Sequence, residues 1–328
     1  MTTSRTTEPP PLVSEIRFGL LAWPQATDWP AYRDIVVAAE DAGWDSVWTW
    51  DHLLAIMGSD WQKPIFEGWT ILAAFAAVTK RVKVGLMVGA NGFRNPGLTA
   101  KLATTLDHMS GGRAYLGIGG AWFAREHDAF GLDFGKTVGE RLTWLDESVG
   151  IIRRLLDGET VTHEGPHYQL NDAVCRPLPV QPHLPILVGG SGPQKTLRTV
   201  ARYADAWNTS GPFEKVAETV ATLDAHCAEL GRDPAAIEQT VSFPIVIRDR
   251  EADAQATWRA LCAANGIADA GNVPHLLGSP QLVADAIRPY LSLGFTTVIC
   301  RMPAPFDRET VDRMGEVREL LELPLLGG

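Results

Sequence analysis

The feature that most restricts the fold of this 328-residue chain is a repeated change of period. Short runs that are apolar on both faces alternate with segments whose apolar residues recur at helical spacing. The runs fall at 16–21 (IRFGLL), 46–50 (SVWTW), 82–88 (VKVGLMV), 114–118, 186–188, 206–208, 241–247 and 297–300. A strand with no polar face must be covered on both sides, as in parallel sheets wrapped by crossover helices. The helical segments sit where such crossovers belong. Tyr32, Ile35, Val36 and Ala39 repeat on one face and stop at Gly43, while Leu142, Leu145, Val149, Ile152 and Leu156 repeat and stop at Gly158. Residues 69–78 and 97–108 supply two more, and Ser279-Pro280 opens another with an N-cap followed by proline. Eight strands alternating with helices predict an α/β fold, a (β/α)8 TIM barrel, with an open doubly wound sheet as the alternative.

Two stretches depart from this rhythm. Residues 159–183, rich in Pro, His and polar side chains, read as an insertion carrying a small hairpin (VTHEG-PHYQL), expected at the catalytic face. Residues 1–13 hold Pro9-Pro10-Pro11 among small polar residues, read as a disordered leader, and lack the apolar stretch of a signal peptide. Residues 14–328 read as a single domain, since one barrel accounts for that length. The longest apolar run, near 71–78, is far too short to span a bilayer. A net charge of −10 argues against a nucleic-acid or anionic-membrane surface, so any ligand phosphate must be held by local groups. Cys175, Cys227, Cys262 and Cys300 are scattered without a C-x-x-C pair. They read as reduced thiols of a cytoplasmic protein, with neither a zinc site nor a disulfide framework.

Several familiar chemistries lack their motif. No G-x-G-x-x-G follows a strand and no G-x-x-x-x-G-K-[ST] occurs. The run Gly189-Gly190-Ser191-Gly192 fails as a nucleophile elbow because position 193 is Pro193. His163 and His167 stand four apart without an evident third ligand, so no metal is expected.

Three segments at strand carboxyl ends, where barrels place their active sites, carry chemistry. Asp51-His52 follows the second strand: the histidine can move a proton near neutral pH and the carboxylate can orient it, though a loop cap would use the same residues. Met87-Val88-Gly89-Ala90-Asn91 follows the third; glycine admits a flat ligand and Asn91 offers donor and acceptor, while a plain polar turn is the competing reading. Gly189, Gly190, Ser191 and Gly192 lie between a strand and a helix, an arrangement whose main-chain amides form an anion cradle. After the fourth strand, Gly119 leaves room in the mouth, and Trp122 either stacks on a ring or packs structurally.

Together these segments resemble the luciferase-like monooxygenase superfamily over nearly the whole chain. GWDSVWTWDHL, RNPGLTAKLATTLDHMSGGRAYLGIGGAW and PVQPHLPILVGGSGPQKTLRTVARYADAWN stand in family order, and the D-x-x-S-G-G-R core from Asp107 to Arg113 is the most specific part. GERLTWLDESVGIIRRLL, EGPHYQL and GRDPAAIE resemble the actinobacterial branch that uses the deazaflavin coenzyme F420. The resemblance implies a luciferase-like barrel with the cofactor ring at its carboxyl end, bordered by Asp51, Met87, Val88, Asn91, Gly119 and Trp122. It implies a non-prolyl cis peptide at Met87-Val88 and the cofactor phosphate near Gly189, Gly190, Ser191 and Gly192. Asp51 and His52 match the family's pair at the reacting face. F420-dependent sugar-phosphate dehydrogenases carry a tryptophan where Ile56 stands, and their acidic residue after the fourth-strand glycines is replaced by Trp122. Sugar-phosphate oxidation is therefore not expected; Glu126 and His127 lie near enough to contribute.

The expected activity is F420-dependent hydride transfer to or from a small organic substrate, with His52 moving a proton and Asp51 setting its tautomer. An FMN-dependent monooxygenase inserting oxygen is the alternative, and a deazaflavin lacks the ring nitrogen at which the oxygen adduct forms, so the cofactor decides. A catalytically silent flavin-binding barrel is the third reading. Trp23, Trp50, Trp61, Phe66 and Trp122 suit an apolar or ring-bearing substrate. The resemblance implies a homodimer.

Overall fold

The computed structural model describes residues 16–58, 60–268, 271 and 275–322; the leader expected over 1–13 lies outside them. Eight parallel strands close into a barrel: β1 (Arg17–Ala22), β2 (Ser46–Thr49), β3 (Lys83–Leu86), β4 (Ala114–Gly119), β5 (Ile186–Gly189), β6 (Ala206–Thr209), β7 (Glu238–Phe243) and β8 (Thr297–Met302). Each pairs with its sequence neighbour, β3 pairs with β4, and β8 returns to β1. Closure excludes the doubly wound alternative. Two expected runs are divided. The third ends at Leu86, passes through the Met87-Val88 peptide, which is cis as the resemblance implied, and resumes as Gly89–Ala90. The run at 241–247 is interrupted at Pro244, which has no amide to donate; Ile245–Ile247 then pairs with Leu276–Gly278 outside the barrel.

Local chemistry sets the helix starts. Asp28 caps α1 (Trp29–Asp41), Glu67 caps α2 (Gly68–Val78), Asn95 caps α3 (Pro96–Ser110) and Thr137 caps α4 (Val138–Leu156), each accepting from first-turn amides. Ser279 caps the helix Pro280–Ser292 as its sequence predicts.

Alternation along the strands divides the core in two. Phe18, Leu20, Val47, Val84, Leu116, Val188, Trp207 and Val298 face the helices, whereas Leu21, Trp48, Met87, Leu187, Ala206 and Ile299 fill the inside. Trp48 is the interior's main filler. Its Nε1 donates to Ser46 Oγ at 2.8 Å and its ring stands edge-on to Tyr115 at 5.4 Å. Glycines on both flanking strands make room for it: a Cβ at Gly85 would lie 2.7 Å from the indole ring, and one at Gly19 2.7 Å from its nitrogen. Below Trp48, Glu238 gathers Tyr115 Oη at 2.9 Å, Thr297 Oγ1 at 2.6 Å and Arg17 at 3.0 Å.

The insertion forms the expected hairpin, Val161–Glu164 against Gln169–Ala173, but its expected place at the catalytic face is corrected. It links the end of α4 to the start of β5, so it begins and ends at the barrel's amino end. The return segment runs down the outside along α3, where Cys175 meets Thr104, the Leu178 carbonyl meets His108, and the amides of Val180 and Gln181 donate to Asp107. The upper part of the hairpin does reach the mouth: Asn91 donates to Tyr168 Oη, and Leu170 lies beside Gly97 at the start of α3. No helix among the described residues is long and apolar enough to cross a membrane.

Candidate active site

The turn leaving β2 delivers Trp50, Asp51 and His52 to the mouth, but the two polar side chains part company. Asp51 is buried and binds Arg94 through both oxygens, at 2.5 and 3.0 Å, while the Ala90 amide donates to it at 3.1 Å. Arg94 also reaches Glu67 at 2.6 Å. Burial holds the Asp51 carboxyl above its ordinary range against the pull of Arg94. Burial works in the same direction on Glu67, yet amide donors from Thr70 and Trp69 and the Arg94 charge outweigh it and leave that group low. The cluster ties β2, the turn after β3 and the start of α2 into one unit.

The partner of His52 is Glu126. His52 Nδ1 lies 2.8 Å from Glu126 Oε1, and the Leu53 amide donates to Oε2 at 2.9 Å. Glu126 is 1% exposed, on the short helix Ala124–Phe130. The expectation that Asp51 sets the His52 tautomer is therefore corrected: the Arg94 ion pair occupies Asp51, and a carboxylate 74 residues further along takes that role. With a carboxylate on Nδ1, that nitrogen carries the proton and Nε2 remains for exchange. Trp50, Trp122 and Phe123 stand edge-on around the imidazole at 6.0, 5.5 and 6.2 Å. Trp122 is 59% exposed and walls the mouth. Ile56 is buried beside them, its backbone clamped by Gln25, which donates to its carbonyl and accepts from its amide, both at 2.8 Å. His127 turns instead to Phe93 and Phe134, and burial pushes its pKa down.

Val88 seats in a space that two glycines leave open. A Cβ at Gly119 would lie 2.7 Å, and one at Gly189 2.8 Å, from the Val88 γ-carbons. The structure thus joins the turn after β3 to the ends of β4 and β5. Asn91 is buried and donates to Tyr168 Oη at 3.0 Å, so its amide nitrogen is committed to the insertion while Oδ1 has no partner among the described residues. In the 189–192 turn Gly190 and Ser191 are exposed. Gly190 needs its freedom, with φ of +124°, and its carbonyl accepts from Trp207 Nε1 at 2.8 Å. Ser191 Oγ meets Thr209 Oγ1 at 2.7 Å. Lys195 Nζ donates to the Gly139 carbonyl and Thr143 Oγ1, which draws the first turn of α4 alongside.

A groove of about 800 Å³ on the outer rim, lined by Thr27, Asp28, Asp34, Lys63, Phe306 and Arg308 among others, contains none of these residues. We place the chemistry at the mouth because the buried dyad and the glycine shelf are there. Among the described residues no His, Cys, Asp and Glu cluster could hold a metal. Sequence reading missed Arg94 as the Asp51 partner; its only signal was a lone cation in the GFRNP turn.

Residues 16–297 match the sequence profile of the luciferase-like monooxygenase family. An F420-dependent glucose-6-phosphate dehydrogenase of Nakamurella multipartita is 32% identical over 337 residues, covering 94% of this chain and 96% of its own. Among solved structures, the coenzyme F420 dependent tetrahydromethanopterin reductase of Methanopyrus kandleri superposes with a TM-score of 0.79 at 22% identity, over 94% of this chain and 100% of the other. An F420-dependent secondary alcohol dehydrogenase in complex with an F420-acetone adduct gives 0.82 at 20% identity, over 94% and 99%.

Proposed function

Since the chain belongs to the luciferase-like monooxygenase family, we propose that it is an oxidoreductase that uses F420 and acts on a small organic substrate. The observation that carries this reading is the His52–Glu126 dyad, a histidine with one nitrogen fixed on a buried carboxylate and the other left for proton exchange. The shelf fits a flat ring: Val88, Gly119 and Gly189 form a surface in which a Cβ at either glycine would collide. In the 189–192 turn the Gly190 amide donates to the Asn208 carbonyl at 3.1 Å, which leaves the amides of Ser191 and Gly192 for the cofactor phosphate. A bound deazaflavin would supply hydride transfer.

The protein's part is positioning and proton movement. His52 Nε2 gives a proton to, or takes one from, the substrate heteroatom, and Glu126 retains the Nδ1 proton and offsets the imidazolium charge. Asp51 acts through Arg94 as a positioning group for the strand end that holds His52. Trp50, Trp122 and Phe123 shield the ring from water. The relatives named for F420 support the cofactor, and the four free, buried cysteines suit a cytoplasmic protein.

Fluorescence titration with F420 and with FMN tests the assignment. Saturable F420 binding, followed by substrate-dependent bleaching or recovery of its absorbance, is expected. Tight FMN binding without F420 binding would make the protein a monooxygenase, and binding without turnover would make it a silent barrel. A homodimer is part of the proposal. Met109 at the end of α3 is exposed, as are Leu178 and Val180 of the segment bonded to that end of the helix, and light scattering at the monomer mass would remove the dimer.

A further inference from the structure

Strand β8 ends in a charged residue on its inner face. Val298, Cys300 and Met302 belong to the core beneath the helices, whereas Ile299 fills the barrel, so by alternation Arg301 also points inward. It is the last such position, at the carboxyl end, opposite Leu21, which stands opposite Trp48. Trp50 and His52 follow two and four residues beyond Trp48. Two strand spacings, roughly 10 Å, separate β8 from β2, so the guanidinium extends toward the same mouth as the imidazole.

Arg301 is partly buried and, among the described residues, makes no hydrogen bond or ion pair; its Nε is a buried donor without an acceptor. The mouth's carboxylates are committed elsewhere: Asp51 and Glu67 to Arg94, Glu126 to His52 and the Leu53 amide. Burial pushes the guanidinium below its ordinary pKa, though an arginine stays charged in a protein. The indoles of Trp23 and Trp50, at neighbouring strand ends, lie tilted against each other with ring centroids 4.7 Å apart, and among the described residues their nitrogens are also buried donors without acceptors. This corner therefore holds three buried donors without acceptors, one of them on a cation that lacks a counter-charge among the described residues, and an incoming oxyanion satisfies them.

We propose that Arg301 is a substrate-binding residue that receives a carboxylate, making the substrate an organic acid with an apolar body. Its acid end lies at Arg301, its body along Trp50, Ile56 and Phe123, and its reacting end at His52. The inference rests on the deazaflavin reading only for what happens at that reacting end. The ring carbonyls of the cofactor present the same acceptor chemistry, and the test separates the two sources.

Benzoate and its neutral analogue benzamide are titrated by tryptophan fluorescence into the full-length protein, with and without F420. Saturable benzoate binding and weak benzamide binding are expected for the wild type. Arg301→Met should weaken benzoate binding at least about tenfold, with Arg301→Lys between the two and F420 affinity unchanged. Benzoate binding equal in wild type and Arg301→Met overturns the proposal. So does a loss of F420 affinity with benzoate binding retained, which assigns the arginine to the cofactor. Should Arg301→Met fail to fold, undiminished benzoate binding by Arg301→Lys overturns it instead. If F420 does not bind at all, the functional reading falls while benzoate titration of the unloaded protein still decides the role of Arg301.

Discussion

Replacing Glu126 by Gln tests the dyad with little change in shape. The amide can still accept from the Leu53 backbone, but the charge 2.8 Å from His52 Nδ1 is gone. Because Glu126 is 1% exposed, water cannot replace the lost acceptor. A hydrogen bond to a buried charged group contributes about 1.5–3 kcal/mol. At roughly 1.4 kcal/mol per decade this corresponds to a ten- to hundredfold fall in kcat. The effect should appear in kcat rather than in KM or F420 affinity, because the carboxylate touches neither ligand in the proposed arrangement. Stopped-flow turnover of the F420 absorbance, run beside cofactor titration, separates these outcomes, and Glu126→Asp should recover part of the rate. Wild-type turnover in Glu126→Gln would show that His52 does not depend on its carboxylate, and the proton-transfer assignment would fail.

Four further outcomes follow from the geometry. Gly189→Ala places a methyl 2.8 Å from Val88 and should abolish F420 binding, with Val88→Ala restoring part of it in the double variant. Arg94→Met leaves Asp51 buried without its cation and should cost about 3–5 kcal/mol by denaturant titration at neutral pH. Since burial raises the folded-state pKa of Asp51, protonation favours the folded variant. Its deficit should therefore shrink as pH falls toward the ordinary carboxylate range near roughly 4; a pH-independent deficit would contradict this. Gly85→Ala, whose methyl meets the Trp48 ring at 2.7 Å, should destabilise by about 1–3 kcal/mol in thermal or denaturant unfolding. Burial pushes the Cys262 thiol up to about 11 and Cys300 up to about 12, so neither should react with iodoacetamide at pH 8 until the protein is unfolded.

The barrel was legible because parallel strands must be apolar on both faces, a pattern local to each run. Glycines 119 and 189 were legible as open space, but what they make room for, the Val88 side chain, was not. The error over Asp51 has a physical cause. Adjacent residues on a strand end point in different directions, so sequence proximity to His52 was a poor guide to contact. Glu126 was visible only as a neighbouring acidic residue, since a pairing across 74 positions depends on where two loops meet. Arg301 carried no signal of its own, because the run at 297–300 stops at Cys300 and a cation directly after a strand reads as the start of a loop; the structure continues the strand to Met302. The hairpin was recognised from its turn chemistry, while its placement depended on which end of the barrel it leaves.

The indole of Trp48, braced between Gly19 and Gly85 above the Glu238 cluster, corks the cylinder from below. Any molecule that reaches the imidazole must enter and depart by the same opening, and two that occupy it together must queue. Arrival and departure then have a fixed sequence, so a steady-state rate for such an enzyme reports traffic through one doorway as well as the chemistry behind it.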